Sequence, residues 1–300
     1  MPAITSENLA HAILKLLAVR ALPILRPNFV MGGLVTRDFD TAFAQAGDVI
    51  TVQTPPTMTA NIISETGTVT TQNPSPGNTE LVLDTHAEAS FQIPDVTKAI
   101  GDPSGALLNM YLEPAVVALA TKIETDLLSQ YARFTRNTAI GSAATALTEN
   151  SIDSAEETLF TALVPESERR ILIVGASGYS DLRKIARFTE VDKIGSGESI
   201  RTAQIGRIKN FDVFRSQLVQ RVSTTTYNLA FARQALGLVT RRLPSPLPGT
   251  GAIAEYVEDS GFGMRIVSSY NASSLAQQYT VDVLYGVGTL RDQFAVNVLS

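Results

Sequence analysis

Residues 102–136 read DPSGALLNMYLEPAVVALATKIETDLLSQYARFTR. Apolar side chains recur along this stretch at Leu108, Leu112, Ala115, Leu119, Ile123, Leu127, Tyr131 and Phe134. A spacing of three to four residues stacks them on one face of an α-helix, with Lys122, Glu124, Asp126 and Arg133 mostly off the stripe. Asp102 suits the cap and Pro103 the first turn. Pro114, however, lies inside the pattern, where proline removes a backbone hydrogen bond and clashes one turn back. The pattern predicts either a kink at Pro114 or a short helix followed by a long one from Pro114 to about Arg136. At ~1.5 Å per residue that second segment is roughly 35 Å long, a strut between regions rich in strand signals.

Upstream of the strut the pattern alternates. Val49-Ile50-Thr51-Val52 is a strand signal closed by Pro55-Pro56, and Thr66–Thr71 is polar and threonine-rich. Gln72-Asn73-Pro74-Ser75-Pro76-Gly77-Asn78 carries turn chemistry throughout. From Leu81 to Ile93 a strand is expected. One parity holds Leu81, Leu83, Ala87, Ala89, Phe91 and Ile93, the other Asp84, His86, Glu88, Ser90 and Gln92. The result is a long two-stranded ribbon from about Val49 to Asp95 with one apolar face. An isolated hairpin is marginal in water, so that face must be covered. Another subunit covers it if the ribbon projects, and the chain's own core covers it if not. His86, on the polar parity, reads as solvated. Farther upstream, Ser6 followed by Leu9, Ala10, Ile13, Leu16 and Leu17 reads as a capped amphipathic helix ended by Pro23. It either docks on a neighbour as an arm or packs on its own domain.

Downstream, Thr138–Ala146 is a small-residue linker and a domain boundary. Ser151–Leu163 is a helix with Ile152, Ala155, Leu159 and Leu163 on one face. Ile171–Val174 is a buried strand, followed by a helix near Ser177–Phe188, and Gly195-Ser196-Gly197 is loop. Gly206–Phe214 gives strand, turn and strand; Tyr227–Phe231 and Leu236–Thr240 give two more strands. After a Pro- and Gly-rich loop at Leu243–Gly251, the alternations Val281, Val283, Tyr285, Val287 and Phe294, Val296, Val298 close the chain as β pairs beside the long helix.

Composition narrows the chemistry. Hydrophobic residues make up 44% of the 300, ample for a core. Charged residues make up 18%, below the ~25% usual for soluble domains, as suits a subunit that hides area against its own copies. A net charge of -5 argues against a protein that grips phosphates. With no cysteine, and with His11 and His86 alone, thiolate chemistry is excluded and a histidine zinc site nearly so. No apolar run reaches a membrane span, and Ala10–Leu25 does not read as a signal peptide, so a soluble intracellular protein is expected. One motif invites a cofactor. Ile171–Asp181 is a strand, a glycine turn (Gly175-Ala-Ser-Gly178) and a helix, the opening of a dinucleotide-binding unit. Asp181 stands where the third glycine belongs, which opposes a phosphate. The doublets Arg169-Arg170 and Arg241-Arg242 read as surface or interface charge. No catalytic constellation is legible.

Several stretches taken in order carry a resemblance. Phe43–Val52 (FAQAGDVITV) looks like the start of an extended loop, Leu112–Leu127 like a spine helix, and Gly206–Phe214 like a fold-back strand pair. Leu236–Pro244, then Met264–Val267 and Thr280–Leu290, complete the order. The combination resembles the major capsid proteins of tailed phages, of Hong Kong 97-type fold, and most closely the coat-protein group of short-tailed phages. The resemblance implies an α+β chain divided into an N-terminal arm (1–47), an extended β loop (48–97), a peripheral domain with the spine helix (98–143 and 275–300) and an α/β axial domain (144–274). It implies a structural role, building an icosahedral shell around double-stranded DNA by repeated non-covalent contacts, with a precursor shell that expands. The implied inter-subunit contacts lie at a loop tip of Gln72, Asn73, Pro74, Ser75, Pro76, Gly77, Asn78 and Thr79. The implied spine-helix core is Leu108, Leu112, Leu119, Ile123, Leu127 and Tyr131. Implied partners are the chain itself in hexamers and pentamers, a scaffolding protein, a portal, a decoration protein, and packaged DNA enclosed without sequence-specific binding. No cofactor, metal or membrane is expected. The location implied is the virion capsid, assembled in the cytoplasm of a bacterial host. A dinucleotide-binding oxidoreductase using Gly175–Gly178 is the alternative.

Overall fold

The computed structural model describes residues 29–37, 49–54, 58–63, 67–69, 71–75, 77–101, 106–185, 206–247, 249–259 and 262–300, together with 14, 15, 17 and 21. A short helix α1 (Asp95–Gly101) precedes a 24-residue one, α2 (Ala106–Ser129), which closes in a 3-10 turn at Gln130–Arg133. The helix is not divided at Pro114, which corrects one of the two expectations. Pro114 sits on the solvent side, and the carbonyl it leaves without a partner belongs to exposed Met110, where water can satisfy it. Leu112, Leu119, Ile123 and Leu127 are buried, while Leu108 and Tyr131 are half-buried. The buried face is two side chains wide. A second row at Val116, Ala120, Glu124 and Leu128 runs beside the first, so Glu124 is buried rather than off the stripe. The proposed cap at Asp102-Pro103 lies outside the described residues.

The ribbon is shorter than its sequence pattern suggested. It pairs β1 (Val49–Thr54) with β2 (Gly77–Val82), antiparallel, from Val49↔Val82 to Thr54↔Gly77. The chain then turns at Leu83-Asp84, and β3 (Thr85–Pro94) enters a different sheet. The strand expected over Leu81–Ile93 is therefore two strands. The apolar parity of β3 is covered by this chain's own core: Ala87, Ala89 and Phe91 pack against it and Ile93 is buried. Tyrosine and valine side chains of the neighbouring strand complete the same layer over α2.

That sheet has five strands: β3, β9 (Leu236–Arg241), β10 (Ile253–Asp259), β11 (Phe262–Asn271) and β12 (Ala276–Thr289). β12 is its long axis, pairing β3 along one side and β11 and then β9 along the other. Val281, Val283 and Tyr285 of β12 are buried, and the Tyr285 hydroxyl donates to Asp126 Oδ2 of α2 at 2.5 Å. The opposite face is polar, as alternation dictates. There Ser90 meets Thr280 at 3.0 Å, and Gln92 donates to Gln278 at 3.2 Å. His86 is not merely solvated: its Nε2 lies 3.1 Å from Asp282 Oδ2, a buried carboxylate also bound by Arg265 Nε at 3.0 Å.

The second sheet has six strands: β4 (Arg170–Val174), β5 (Arg207–Ile208), β6 (Phe211–Arg215), β7 (Arg221–Val222), β8 (Thr225–Ala232) and β13 (Ala295–Leu299). Among the described residues its order is β13-β8-β4-β6-β5, with β7 on β8; β4 and β6 run parallel and the other pairs antiparallel. α3 (Glu149–Thr161) and α4 (Ala176–Lys184) accompany it, α3 capped by Thr148 Oγ1 accepting from the Ser151 amide at 3.3 Å. Every residue of β4 is buried, as its unbroken apolar run requires. β10 and β11 belong to the sheet of β12 and β3, and β13 pairs with β8 in the second sheet, with Asn297 Nδ2 donating to the Tyr131 carbonyl at 2.9 Å.

Several expectations fall outside the described residues: the helix through Ser6, Leu9, Ala10, Ile13 and Leu16 to Pro23, the stretch Phe43–Asp48, Pro55-Pro56, Pro76 and Gly195–Gly197. Of the N-terminal pattern, Leu14, Leu17 and Ala21 are described and buried in the main core.

Candidate assembly surface

Between Thr54 and Gly77 the chain makes an excursion in which residues 58–63, 67–69 and 71–75 have no regular structure. Its apolar side chains face water: Ile62 is fully exposed, and Met58, Ile63 and Val69 are exposed. Sequence explains the plainness of this loop, for Glu65 is the one charged residue between Val49 and Thr79. The excursion is braced internally by Gln72, whose Oε1 accepts from the Thr59 amide at 3.1 Å while its Nε2 donates to the Thr59 carbonyl. Gln72, Asn73, Pro74 and Ser75 thus form the returning limb, and Gly77, Asn78 and Thr79 are paired in β2. Of the tip expected at Gln72–Thr79, Gly77, Asn78 and Thr79 open β2, paired with Thr54, Gln53 and Val52.

The base is seated on bare backbone. Ile50, Leu81 and Leu83 form a small core with Val239 of β9. They reach it because Gly237, Gly286 and Gly288 carry no side chain. A Cβ on Gly288 would stand 2.5 Å from Leu81 Cδ2, one on Gly237 3.0 Å from Leu81 Cδ1, and one on Gly286 would overlap the Val82 carbonyl. Thr79 Oγ1 adds a bond to the Leu290 carbonyl at 3.3 Å. The ribbon is therefore held rigidly at one end and carries an uncovered apolar loop at the other.

Behind the seat, residues 29–37 tie three regions together. The Thr36 amide donates to the Leu236 carbonyl at 3.0 Å, and the Leu238 amide to the Thr36 carbonyl at 3.0 Å. At the other end of the strap, the Val30 amide donates to Glu124 Oε2 at 3.0 Å, and Ser216 Oγ to Glu124 Oε1 at 2.8 Å. Burial pushes the Glu124 carboxyl above its ordinary value of 4.5, and the bonds from Ser216, Val30 and Met31 oppose that shift. One carboxylate thus joins the spine helix, the strap and the end of β6. The i, i+4 row Val116, Ala120, Glu124, Leu128 was the sequence signal for it.

The glycine turn is already filled by the chain itself. The Gly175 amide donates to Asn228 Oδ1 at 2.9 Å, and a Cβ on Gly178 would come within 3.0 Å of that oxygen. Ser177 pairs with Thr226 at 3.2 Å, while Asp181 Oδ2 accepts from the Leu147 amide at 3.3 Å. The groups that would receive a pyrophosphate instead lock α4 to β8, so the turn lends no support to the oxidoreductase alternative. Of the basic doublets, Arg169 pairs with Asp212 at 2.5 Å, and buried Arg170 lies 3.5 Å from Glu156. No helix among the described residues is long and apolar enough to cross a membrane.

No protein-family model and no curated protein matches the sequence. Solved structures do. A chain of Mycobacterium phage Che8 matches at a TM-score of 0.64 and 17% identity, over 90% of each chain. The capsid of cyanophage P-SCSP1u matches at 0.61 and 15%, over 90% of this chain and 87% of that one. The capsid of the native GTA particle matches at 0.61 and 10%, over 91% and 90%. The fold is that of the Hong Kong 97-type capsid subunits. Near-complete coverage in both directions means that the spine helix, its sheet and the second sheet belong to one shared architecture.

Proposed function

We propose that this chain is the major capsid protein of a tailed phage. Its copies assemble in hexamers and pentamers into an icosahedral shell around double-stranded DNA, through repeated non-covalent contacts. The observation that carries the reading is the excursion itself: a loop with a single charged residue and exposed apolar side chains, on a ribbon fixed by a glycine seat. Such a surface is uncovered only until a neighbour arrives. The contact residues are Met58, Ile62, Ile63 and Val69, with Gln72, Asn73, Pro74 and Ser75 as their bracing limb. α2 and the five-stranded sheet make the peripheral domain, and the six-stranded sheet with α3 and α4 the axial one. A net charge of -5 suits a shell whose lining must not hold its DNA. Scaffolding protein, portal and expansion of a precursor shell belong to the same reading.

The test is negative-stain electron microscopy of the chain expressed in bacteria, alone and together with its neighbouring scaffold gene. Closed shells, tubes or spirals tens of nanometres across are expected. A uniformly small species in both preparations would refute the assignment.

A further inference from the structure

Arg241 closes β9 opposite Leu284 of β12, and Leu284 in turn lies opposite His86 of β3. Leu284 is two positions along β12 from Asp282, so Arg241 stands with both of them on the polar face of the five-stranded sheet. Arg241 and Arg242, with Leu243, Pro244, Ser245 and Leu284, line a cavity of about 410 Å³. That lies within the ~300–1,000 Å³ of small-ligand sites. A guanidinium keeps its charge at any pH a protein survives, so two of them on one cavity call for negative charge.

The carboxylates of this face are committed elsewhere. Asp282 is buried and held by Nε and Nη2 of Arg265 and by Nε2 of His86. The remaining nitrogen of Arg265, Nη1, donates to the Pro244 carbonyl. Glu88 accepts from Ser90. Arg241 Nη1, by contrast, is buried with no hydrogen-bond partner. Among the described residues neither Arg241 nor Arg242 makes an ion pair. Arg242 is stacked on Tyr256, 4.9 Å from the ring centroid. Stacking occupies the flat face of a guanidinium and leaves its N–H edges to donate.

We propose that this cavity is an oxyanion site, taking a carboxylate or phosphate group between Arg241 and Arg242. The Ser245 hydroxyl is a further donor, and Leu243, Pro244 and Leu284 surround the body that carries the charge. An oxyanion is the fitting class because a guanidinium offers parallel N–H bonds that match its oxygens. The unpartnered Nη1 points the same way: a donor buried without an acceptor is costly, and an arriving oxyanion removes that cost. One wall is fixed in advance, since the bond from Arg265 to the Pro244 carbonyl ties the loop after β9 to β11. The group can belong to a free ion or to an acidic side chain of a second copy. The cavity is complete in one chain, so it does not depend on the shell reading.

Thermal melts of dispersed subunits in sodium phosphate and, separately, sodium acetate test the site, with ionic strength held constant by sodium chloride. Arg241→Met removes the buried donor and keeps its bulk. With neither anion present this variant should melt at or above wild type, because an unpaired buried charge is gone. Wild type should then gain a few degrees as either anion is raised and overtake the variant, which gains little. Arg242→Gln should raise the half-saturating concentration about tenfold. Arg169→Gln, whose arginine is paired with Asp212 elsewhere, should titrate as wild type does. An Arg241→Met variant that trails wild type by one margin at every anion concentration would overturn the site. So would a wild type that gains no more than the variant in either salt. In assembled shells the same titration separates the two sources. Protection that persists there marks a free ion, and protection confined to dispersed subunits marks a carboxylate of a second copy seated in the cavity.

Discussion

Ile123 and Ile62 are the same side chain in opposite circumstances. Ile123 is wholly buried on the spine helix in the main core, whereas Ile62 is fully exposed on the loop beyond the ribbon. Burying such a side chain is worth about 1.5–3 kcal/mol, so the helix region holds its stabilisation within the chain and the excursion leaves its share unrealised. The helix, sheet and strap bury their apolar side chains within one chain, whereas the loop leaves Met58, Ile62, Ile63 and Val69 uncovered. The glycine seat is the joint between these regimes, because it fixes where the unfinished surface points.

That contrast breaks most violently at the helix. Ile123→Asp places an unpaired charge in a dry layer, costing several kcal/mol against a total stability of about 5–15. No soluble folded subunit should be recovered; a soluble variant with a cooperative melt would contradict the buried face. Next comes the Glu124 clamp. Glu124→Ala strips acceptors from the Val30 amide and the Ser216 hydroxyl and should cost about 3 kcal/mol by chemical denaturation. Glu124→Gln keeps an acceptor but removes the charge. Because the folded carboxyl binds its proton more tightly than the unfolded one, its contribution to stability is fullest below pH 4.5 and declines as pH rises through the folded value. The melting-temperature difference between wild type and Glu124→Gln should move against wild type over that window and then level off. A difference independent of pH would show that Glu124 is not the group titrating.

Smaller still, for the isolated subunit, is the seat. Gly286→Val drives a side chain into the Val82 carbonyl, so the ribbon must move. Monomer melting should fall by a few degrees, about 1–2 kcal/mol, while assembly measured by sedimentation is lost. Intact assembly with the same loss of stability would mean that ribbon direction is unimportant. Smallest of all is Ile62→Ser with Ile63→Ser. Stability of the subunit should stay within about 0.5 kcal/mol, as for other exposed positions, yet shells should fail to form. Equal yields of shells would remove the excursion from the interface.

Local pattern carried much of this reading, and its failures share a cause. The stripe from Leu108 to Phe134 was legible because three- to four-residue spacing is a property of the chain alone. Pro114 misled because its cost depends on whether the deprived carbonyl meets water, which spacing cannot say. Glu124 misled because charge predicts exposure on average, and only the row Val116, Ala120, Leu128 hinted that this one faced inward. The parity of Leu81–Ile93 was real, but a period of two does not reveal which partner covers the apolar face or where a strand changes sheets. Gln72–Asn78 has turn chemistry, yet its last two residues, Gly77 and Asn78, are already paired in β2. The excursion was harder to see because it lacks pattern altogether, and its one signal was the near-absence of charge from Val49 to Thr79.

The claim at the centre is that this loop is finished by a neighbouring copy. A cryo-electron microscopy map of assembled shells tests it most directly. The expected map shows residues 58–75 lying on the adjacent subunit, with Ile62 and Ile63 covered and the Gly237–Gly286–Gly288 seat unchanged. A map in which the same residues stand free in solvent, with the shell held by other surfaces, would contradict it.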